Sequence, residues 1–295
     1  MDGEVLSAFS HAVNLDTPAG LVSVLTRARC LQPMGCVVEP AGSFEQGAFA
    51  PGMRARLTGR ELRIGDAEIV LAGATPTDLS VRGALGPDSG AALIVDTQKH
   101  RPALCPAPLL TVLASGRGED GLSALVTRCK SNVYADFLAP RLPRLFAAVA
   151  AGDAAEAGEA AARIAGCGVG LTPSSDDLLT GYMAMLHALS AIGVLGDVVP
   201  LTRAMAARAA QKTNRISGAF LLQSGAGYVS EDVLRLLQLL CSDSDAQQIE
   251  RAAARVAAFG STSGSDMLTG IVLAIIHHDG GKNSGQTGNQ EKRLF

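Results

Sequence analysis

GCGVGLTPSSDDLLTGYMAMLHALS, residues 166–190, changes character half-way along. Its first half is glycine, hydroxyl residues and two adjacent aspartates; from Leu178 it turns apolar and stays so to residue 199. His187, Gly193, Gly196 and Asp197 interrupt that apolar run, whereas a membrane span needs ~20 residues without such breaks. The spacing therefore predicts a small-residue loop opening a buried helix that ends in a turn.

The sequence around it has the same helical texture. Residues 136–151 and 153–165 carry Ala, Leu, Arg and Glu at helical periods, with Gly152 and Gly166 as stops. Further helical patterns cover 201–211, 231–241, 245–259 and 265–277. Upstream of about Thr97 the texture is different. Residues 35–39, 53–57, 61–64, 68–71 and 91–96 read as short strands bounded by Gly, Pro or Asp. Residues 54–64 read as a hairpin turning at Thr58-Gly59, with a second tight turn at Gly65-Asp66. The stretch 98–108, with three prolines, reads as a connector. The fold class expected is α+β, a small antiparallel β-rich domain (1–105) followed by an all-α domain (106–278). Residues 279–295, rich in Gly, Asn, Gln and Lys, read as a disordered tail.

Composition narrows the function. The chain is 47% hydrophobic and 18% charged, the balance of a compact protein rather than a disordered one. Net charge is −3, no run of Lys and Arg occurs, and Trp is absent, so nucleic acid and anionic membranes are not expected partners. The six cysteines lie scattered without CxxC spacing and read as reduced thiols of a cytoplasmic protein. The opening MDGEVLSAFSHAVNL has no basic region, so no signal peptide is expected.

A second loop, GSTSGSDMLTG at 260–270, resembles the first. Setting Ser263 on Ser174, an offset of 89 residues, matches five of eight positions, Asp177 with Asp266 and Gly181 with Gly270 among them. Identity at that level is near chance for a chain of this length; the shared context, a glycine loop before an apolar helix, carries more weight. Pro173 suits a first helical position with Thr172 as cap, and Ser263 can cap the second helix. A helix N-terminus carries roughly half a positive charge, and open N–H groups there hold phosphate or carboxylate. Hydroxyls of Ser174, Ser175 and Ser265 can add donors. Asp176, Asp177 and Asp266 fall in first turns, where they cap the helix, hold a donor group of a substrate, or bind Mg²⁺. The plainer reading, helix capping alone, fits either loop about as well; the pair together favours a site. Gly181 and Gly270 read as close packing points that bring the two helix starts together.

Other candidates are weaker. Thr213 and Asn214 could contact an anion, although a capped helix start is the simpler reading of that segment. The histidines make no zinc-ligand pattern, so no metal site of that kind is expected and Mg²⁺ is the one cofactor left open. Cys167 has no histidine near it in sequence to activate it. No phosphate-loop, nucleophile-elbow or dinucleotide motif occurs.

The runs GLTPSSDDLLTG and GSTSGSDMLTG, with the segment 213–217 and Gly225-Ala226-Gly227-Tyr228 after it, resemble the AllH-type subunit of bacterial oxamate carbamoyltransferase. The resemblance spans roughly residues 145–278 and is weaker in the N-terminal half, where it rests on the strand pattern ending at 72–78. It implies a soluble subunit of a three-component enzyme of anaerobic allantoin breakdown, with FdrA-like and AllG-type partner subunits. That enzyme converts oxalurate and phosphate into oxamate and carbamoyl phosphate. The motif positions it carries over are Gly170, Leu171, Thr172, Pro173, Ser174, Asp176 and Asp177, then Gly260, Thr262, Ser263, Gly264 and Asp266. This chain departs from the pattern at Ser175 and Ser261, where some relatives have His, and at Asn214, where relatives have Thr. Imidazole bases at those places are therefore not expected here.

Three readings follow. In the first, the paired loops bind a small anion, with Asp176, Asp177 and Asp266 as the chemical groups and Gly170, Thr172, Ser174, Ser175, Thr213, Asn214, Thr262, Ser263 and Gly264 as its surroundings. In the second the chain is a scaffold whose loops only cap helices. In the third it is a stand-alone Mg²⁺-dependent hydrolase built on the three aspartates.

Overall fold

The computed structural model of the protein describes residues 1–39, 43–44, 47–87, 89, 104–116 and 121–283. The chain divides into two compact units, Met1–Leu79 and Ser80–Phe295.

The first unit is a seven-stranded sheet built from β1 (Asp2–Phe9), β2 (Ala12–Thr17), β3 (Gly20–Thr26), β4 (Gly35–Val38), β5 (Arg54–Leu57), β6 (Glu61–Ile64) and β7 (Ala67–Val70). Its order is β4-β3-β2-β1-β5-β6-β7, antiparallel throughout except that β4 runs parallel to β3. Alternation sets the buried face: in β6, Leu62 and Ile64 are buried while Arg63 is exposed. Val5, Val13, Leu15, Val24, Ala55, Leu62 and Ile64 form the core of this face. Across the strands, Val5 faces Leu15 and Val13 faces Val24, so register and burial agree. The expected hairpin is present, with β5 pairing to β6 and Gly65 turning the chain into β7. The strand expected at 91–96 lies outside the described residues, as does much of the 98–108 connector.

The second unit is helical: α1 (Val81–Leu85), α2 (Ala107–Ser115), α3 (Val133–Leu138), α4 (Leu142–Ala151), α5 (Ala154–Ile164), α6 (Ser174–Ala191), α7 (Val199–Ala210), α8 (Arg215–Gly225), α9 (Glu231–Leu240), α10 (Ala246–Ala257) and α11 (Ser263–Asn283). The fold class is thus the one expected, a sheet unit followed by a helical one. Residues 284–295 lie outside the described residues, and the expected tail start at 279 falls inside α11.

Local chemistry explains most helix ends. Asp153 caps α5, Asn214 caps α8, and Asp245 with Gln248 forms a capping box on α10. The single helix expected at 136–151 is instead two, α3 and α4. Pro140 cannot donate an N–H and clashes with a helical carbonyl four residues back, while Pro143 sits in the first turn of α4, where no donor is missed. At the centre stands α6, apolar nearly all round and buried from Ser174 to Leu179 and from Gly181 to Leu189. Its most extensive packing partner is α11.

Candidate functional site

The two helices that open from the paired loops cross at their matched glycines. A Cβ on Gly181 would lie 2.0 Å from the carbonyl oxygen of Met267, and one on Gly270 would lie 2.0 Å from that of Leu178. Met267 is the counterpart of Leu178 at the same 89-residue offset that relates Gly270 to Gly181. The contact is therefore a pseudo-two-fold one, each glycine pressed on the carbonyl that corresponds to the other's. Only a residue without a Cβ lets the helices come this close, and that closeness brings both first turns into one place.

The loops then join side by side. Thr172 and Ser263 share a hydrogen bond of 2.9 Å between their hydroxyls. The hydroxyls of Ser263 and Thr172 lie close enough to Asp177, of the first loop, to favour its charged form, and those of Ser174 and Thr262 do the same for Asp266, of the second. Each carboxylate thus has hydroxyls of both loops beside it. Asp266 Oδ1 also accepts from the backbone N–H of Leu122 at 2.6 Å. Asp177 is 5% exposed and Asp266 is 0% exposed. Asp177 Oδ2 and Asp266 Oδ2 are each buried without a hydrogen-bond partner among the described residues. Leaving a buried polar atom unpaired costs about 1–3 kcal/mol, more where the group is charged. Burial pushes Asp177 well above the usual carboxylate range, and the nearby Asp266 and Asp176 push it the same way. Burial likewise raises Asp266, to about 6.

Asp176, although adjacent, is satisfied. Its Oδ1 accepts from the Gly166 N–H at 2.7 Å and its Oδ2 accepts from Ser217 at 2.7 Å and from the Thr213 hydroxyl. It ties the first loop to the start of α8. Ser175, fully buried, accepts from the Cys167 N–H at 2.9 Å and so belongs to the same tie. Asn214 caps α8 through the N–H groups of Ile216 and Ser217 and donates to the Leu171 carbonyl at 2.8 Å. Thr213 and Asn214 therefore brace the loop. Gly170 is exposed in it, with open space where a Cβ would stand. Gly264 is a packing residue, since a Cβ there would lie 1.9 Å from the Val256 carbonyl.

Two expected caps differ. Pro173 occupies the cap position of α6 with no side-chain bond, and Thr172 turns to Ser263 and Asp177 instead. Ser263 is the first residue of α11 rather than the residue before it. The first-turn N–H groups are also less open than a bare helix end. Those of Ser175, Asp176 and Asp177 donate to the carbonyls of Cys167, Pro173 and Pro173, and those of Gly264 and Asp266 to Phe259 and Thr262. Gly168, at φ 137°, lies over the remaining N–H of Ser174, 2.3 Å from where its Cβ would be. What the site offers is mainly carboxylates and hydroxyls.

Sequence reading missed Gly121 and Leu122. A Cβ on Gly121 would stand 2.9 Å from Asp266 Oδ1, and Asn132 holds the Gly121 carbonyl at 2.7 Å. A lone Gly-Leu between helices, 144 residues from Asp266, carries no local signal of this role. Sequence also showed no basic cluster, yet Arg141, Arg144 and Arg163 converge with Phe137 and Pro140 on a groove of 430 Å³. Helical spacing and a turn bring them together. Arg144 is tied to Glu156, and Arg141 lies 3.8 Å over the Phe137 ring. The other candidates have other partners. His187 meets the Gly225 carbonyl at 3.3 Å, His277 meets the Tyr182 hydroxyl at 2.8 Å, and burial raises the Cys167 thiol, the opposite of activation. Among the described residues no three His, Cys, Asp or Glu gather as a metal cluster, and no helix is long and apolar enough to cross a membrane.

The comparisons with known proteins fall on this same architecture. A family described as oxamate carbamoyltransferase subunit AllH matches residues 164–275, and one described as the AllH family N-terminal domain matches residues 1–76. The chain belongs to the AllH family. The first match contains both loops, α6, most of α11 and all three aspartates; the second covers all seven strands of the sheet unit. The family is that of a subunit of oxamate carbamoyltransferase. No curated protein and no solved structure gives a significant match.

Proposed function

We propose that this chain supplies the site that holds the carbamoyl-bearing substrate in oxamate carbamoyltransferase, working in the cytoplasm with FdrA-like and AllG-type subunits. The observation that carries this reading is the pair of buried carboxylates, Asp177 and Asp266, each with one oxygen left unpartnered where two helix starts meet. A fold that buries two such groups without using them fully is arranged for something that arrives later.

The reaction suits such a place. An oxygen of phosphate bonds to the carbamoyl carbon of oxalurate while the C–N bond to the oxamate nitrogen breaks. That nitrogen takes the proton that hydrogen phosphate gives up, and oxamate and carbamoyl phosphate leave. Little of this needs a protein nucleophile; orientation and stabilisation of charge as it develops carry most of the rate. Hydroxyls of Thr172, Ser174, Thr262 and Ser263 line the same place and supply further donors for the anionic parts of the substrates. Gly170, Ser175, Thr213, Asn214, Gly264 and Asp176 support the loops.

Reconstituting the chain with its partner subunits tests this. Asp177→Ala and Asp266→Ala variants should assemble and keep their helical circular dichroism, yet form carbamoyl phosphate from oxalurate and phosphate about 100-fold more slowly or worse. Unchanged turnover in both would remove the site from the reaction and favour a scaffold role.

A further inference from the structure

Resting on that reading, we propose that Asp177 and Asp266 hold a single proton between them and recognise the planar amide of the carbamoyl group, Asp177 donating to its oxygen and Asp266 accepting from its nitrogen. The two carboxyls sit in the first turns of α6 and α11, drawn together by the glycine crossing, and both are more than nine-tenths buried. Each has an unpartnered oxygen, Oδ2 in both, among the described residues, and hydroxyls from both loops lie beside the pair.

Two full negative charges in one dry place repel, and sharing a proton relieves this. The surroundings say which carboxyl keeps it. Asp266 accepts the Leu122 N–H at 2.6 Å, a bond that favours its charged form, together with hydroxyls of Ser174 and Thr262. Asp177 has no backbone donor among the described residues and only the hydroxyls of Ser263 and Thr172 beside it, and it feels Asp176 on its own helix as well as Asp266 across the crossing. The proton therefore rests on Asp177, which burial and the like charges of Asp266 and Asp176 all push upward.

An acid beside a carboxylate presents one donor and one acceptor. A primary amide presents the complement, a carbonyl oxygen and an N–H side by side. A carboxylate or phosphate offers acceptors alone and would set its lone pairs against those of Asp266. Sites built from buried hydrogen-bonding groups reject an analogue that cannot pair with them. The same contact pulls charge toward the carbamoyl oxygen, which is where charge gathers when a nucleophile adds to the carbon.

Isosteric ligands test the assignment on the assembled complex, with carbamoyl phosphate as the probe that carries the carbamoyl amide and acetyl phosphate, with a methyl in place of the amino group, as its counterpart. Asparagine resembles a protonated aspartate, so Asp177→Asn should bind carbamoyl phosphate within about 3-fold of the unaltered protein. Asp266→Asn turns the acceptor into a donor and should weaken carbamoyl phosphate at least about 10-fold. Acetyl phosphate should bind weakly to the unaltered complex. Equal losses in the two variants, or tight acetyl phosphate binding, would overturn the inference. A ¹³C-carboxyl titration of the aspartates reads the proton directly: one buried carboxyl should remain protonated at pH 7 and vanish from the spectrum of Asp177→Asn. Two ionised carboxyls at pH 7 would overturn the inference even where turnover depends on both residues. Unchanged turnover in the alanine variants would instead defeat the substrate-site reading on which it rests.

Discussion

Asp176 and Asp177 are adjacent, and one residue of helical rotation gives them opposite fates. Asp176 turns to the loop and to α8, where four donors from Gly166, Ser175, Thr213 and Ser217 meet its two oxygens. Asp177 turns to α11 and keeps an oxygen unpartnered. The cost of such an arrangement is measurable at Asp266. Its folded value of about 6 lies above the ordinary 3.8, so the native state holds its proton over a range where the unfolded chain has already lost it. Stability from this group is full below about pH 4, declines as pH rises, and is gone above about pH 6, a difference of about 3 kcal/mol. Asp266→Asn cannot ionise and keeps an oxygen for the Leu122 N–H. We expect it to melt at a higher temperature than the unaltered chain at pH 7.5, with the gap closing toward pH 4. A gap independent of pH would mean that ionisation of Asp266 is not the cause. Sequence made both aspartates visible as first-turn acids, because that position is a matter of spacing along one chain. It could not say which of the two was spent on structure, since three of the four donors that decide it lie 10 to 41 residues away.

Among the elements, the crossing of α6 and α11 sets the geometry of everything above it. Alanine at Gly181 or Gly270 would gain up to ~1 kcal/mol of helix propensity. Against that, its methyl would sit 2.0 Å from a backbone carbonyl that neither helix can move alone. We expect each substitution to lower the denaturant midpoint, by a net ~1–3 kcal/mol, and the two losses to be similar because the contacts correspond. The double variant should lose less than the sum, since helices already forced apart accept the second methyl more easily. Purely additive losses would show the two contacts to be independent. The glycines were legible as packing points, and so were helices such as α5 and α10, whose capping aspartates mark their starts. β1, β2 and β3 were the elements least visible in sequence. Segments such as Ala12–Thr17, with Asn14 and Asp16 among the apolar residues, mix polar groups into the strand. Asn14 is buried there because Ser23 donates to it at 2.8 Å and it donates to Ser7 at 3.0 Å, pairings that exist only once three strands have met.

At the scale of the whole molecule, the sheet unit has its own core and closes its own register, so we expect residues 1–79 expressed alone to give a β-type circular dichroism spectrum and a cooperative thermal transition. A spectrum of unordered chain would show that the core centred on Val13, Leu15 and Leu62 is insufficient by itself. In the helical unit, one offset of 89 residues relates two loops, two carboxylates, two glycines and the two carbonyls those glycines touch. The two segments differ where Asp176 has Ser265 as its counterpart. The first loop is anchored through Asp176, to which Gly166, Thr213 and Ser217 donate, while the second keeps only the acid that faces the crossing. A reciprocal contact thus carries two unequal loops, one braced to α8 and one not, so a strain applied at α8 would reach Asp177 before Asp266.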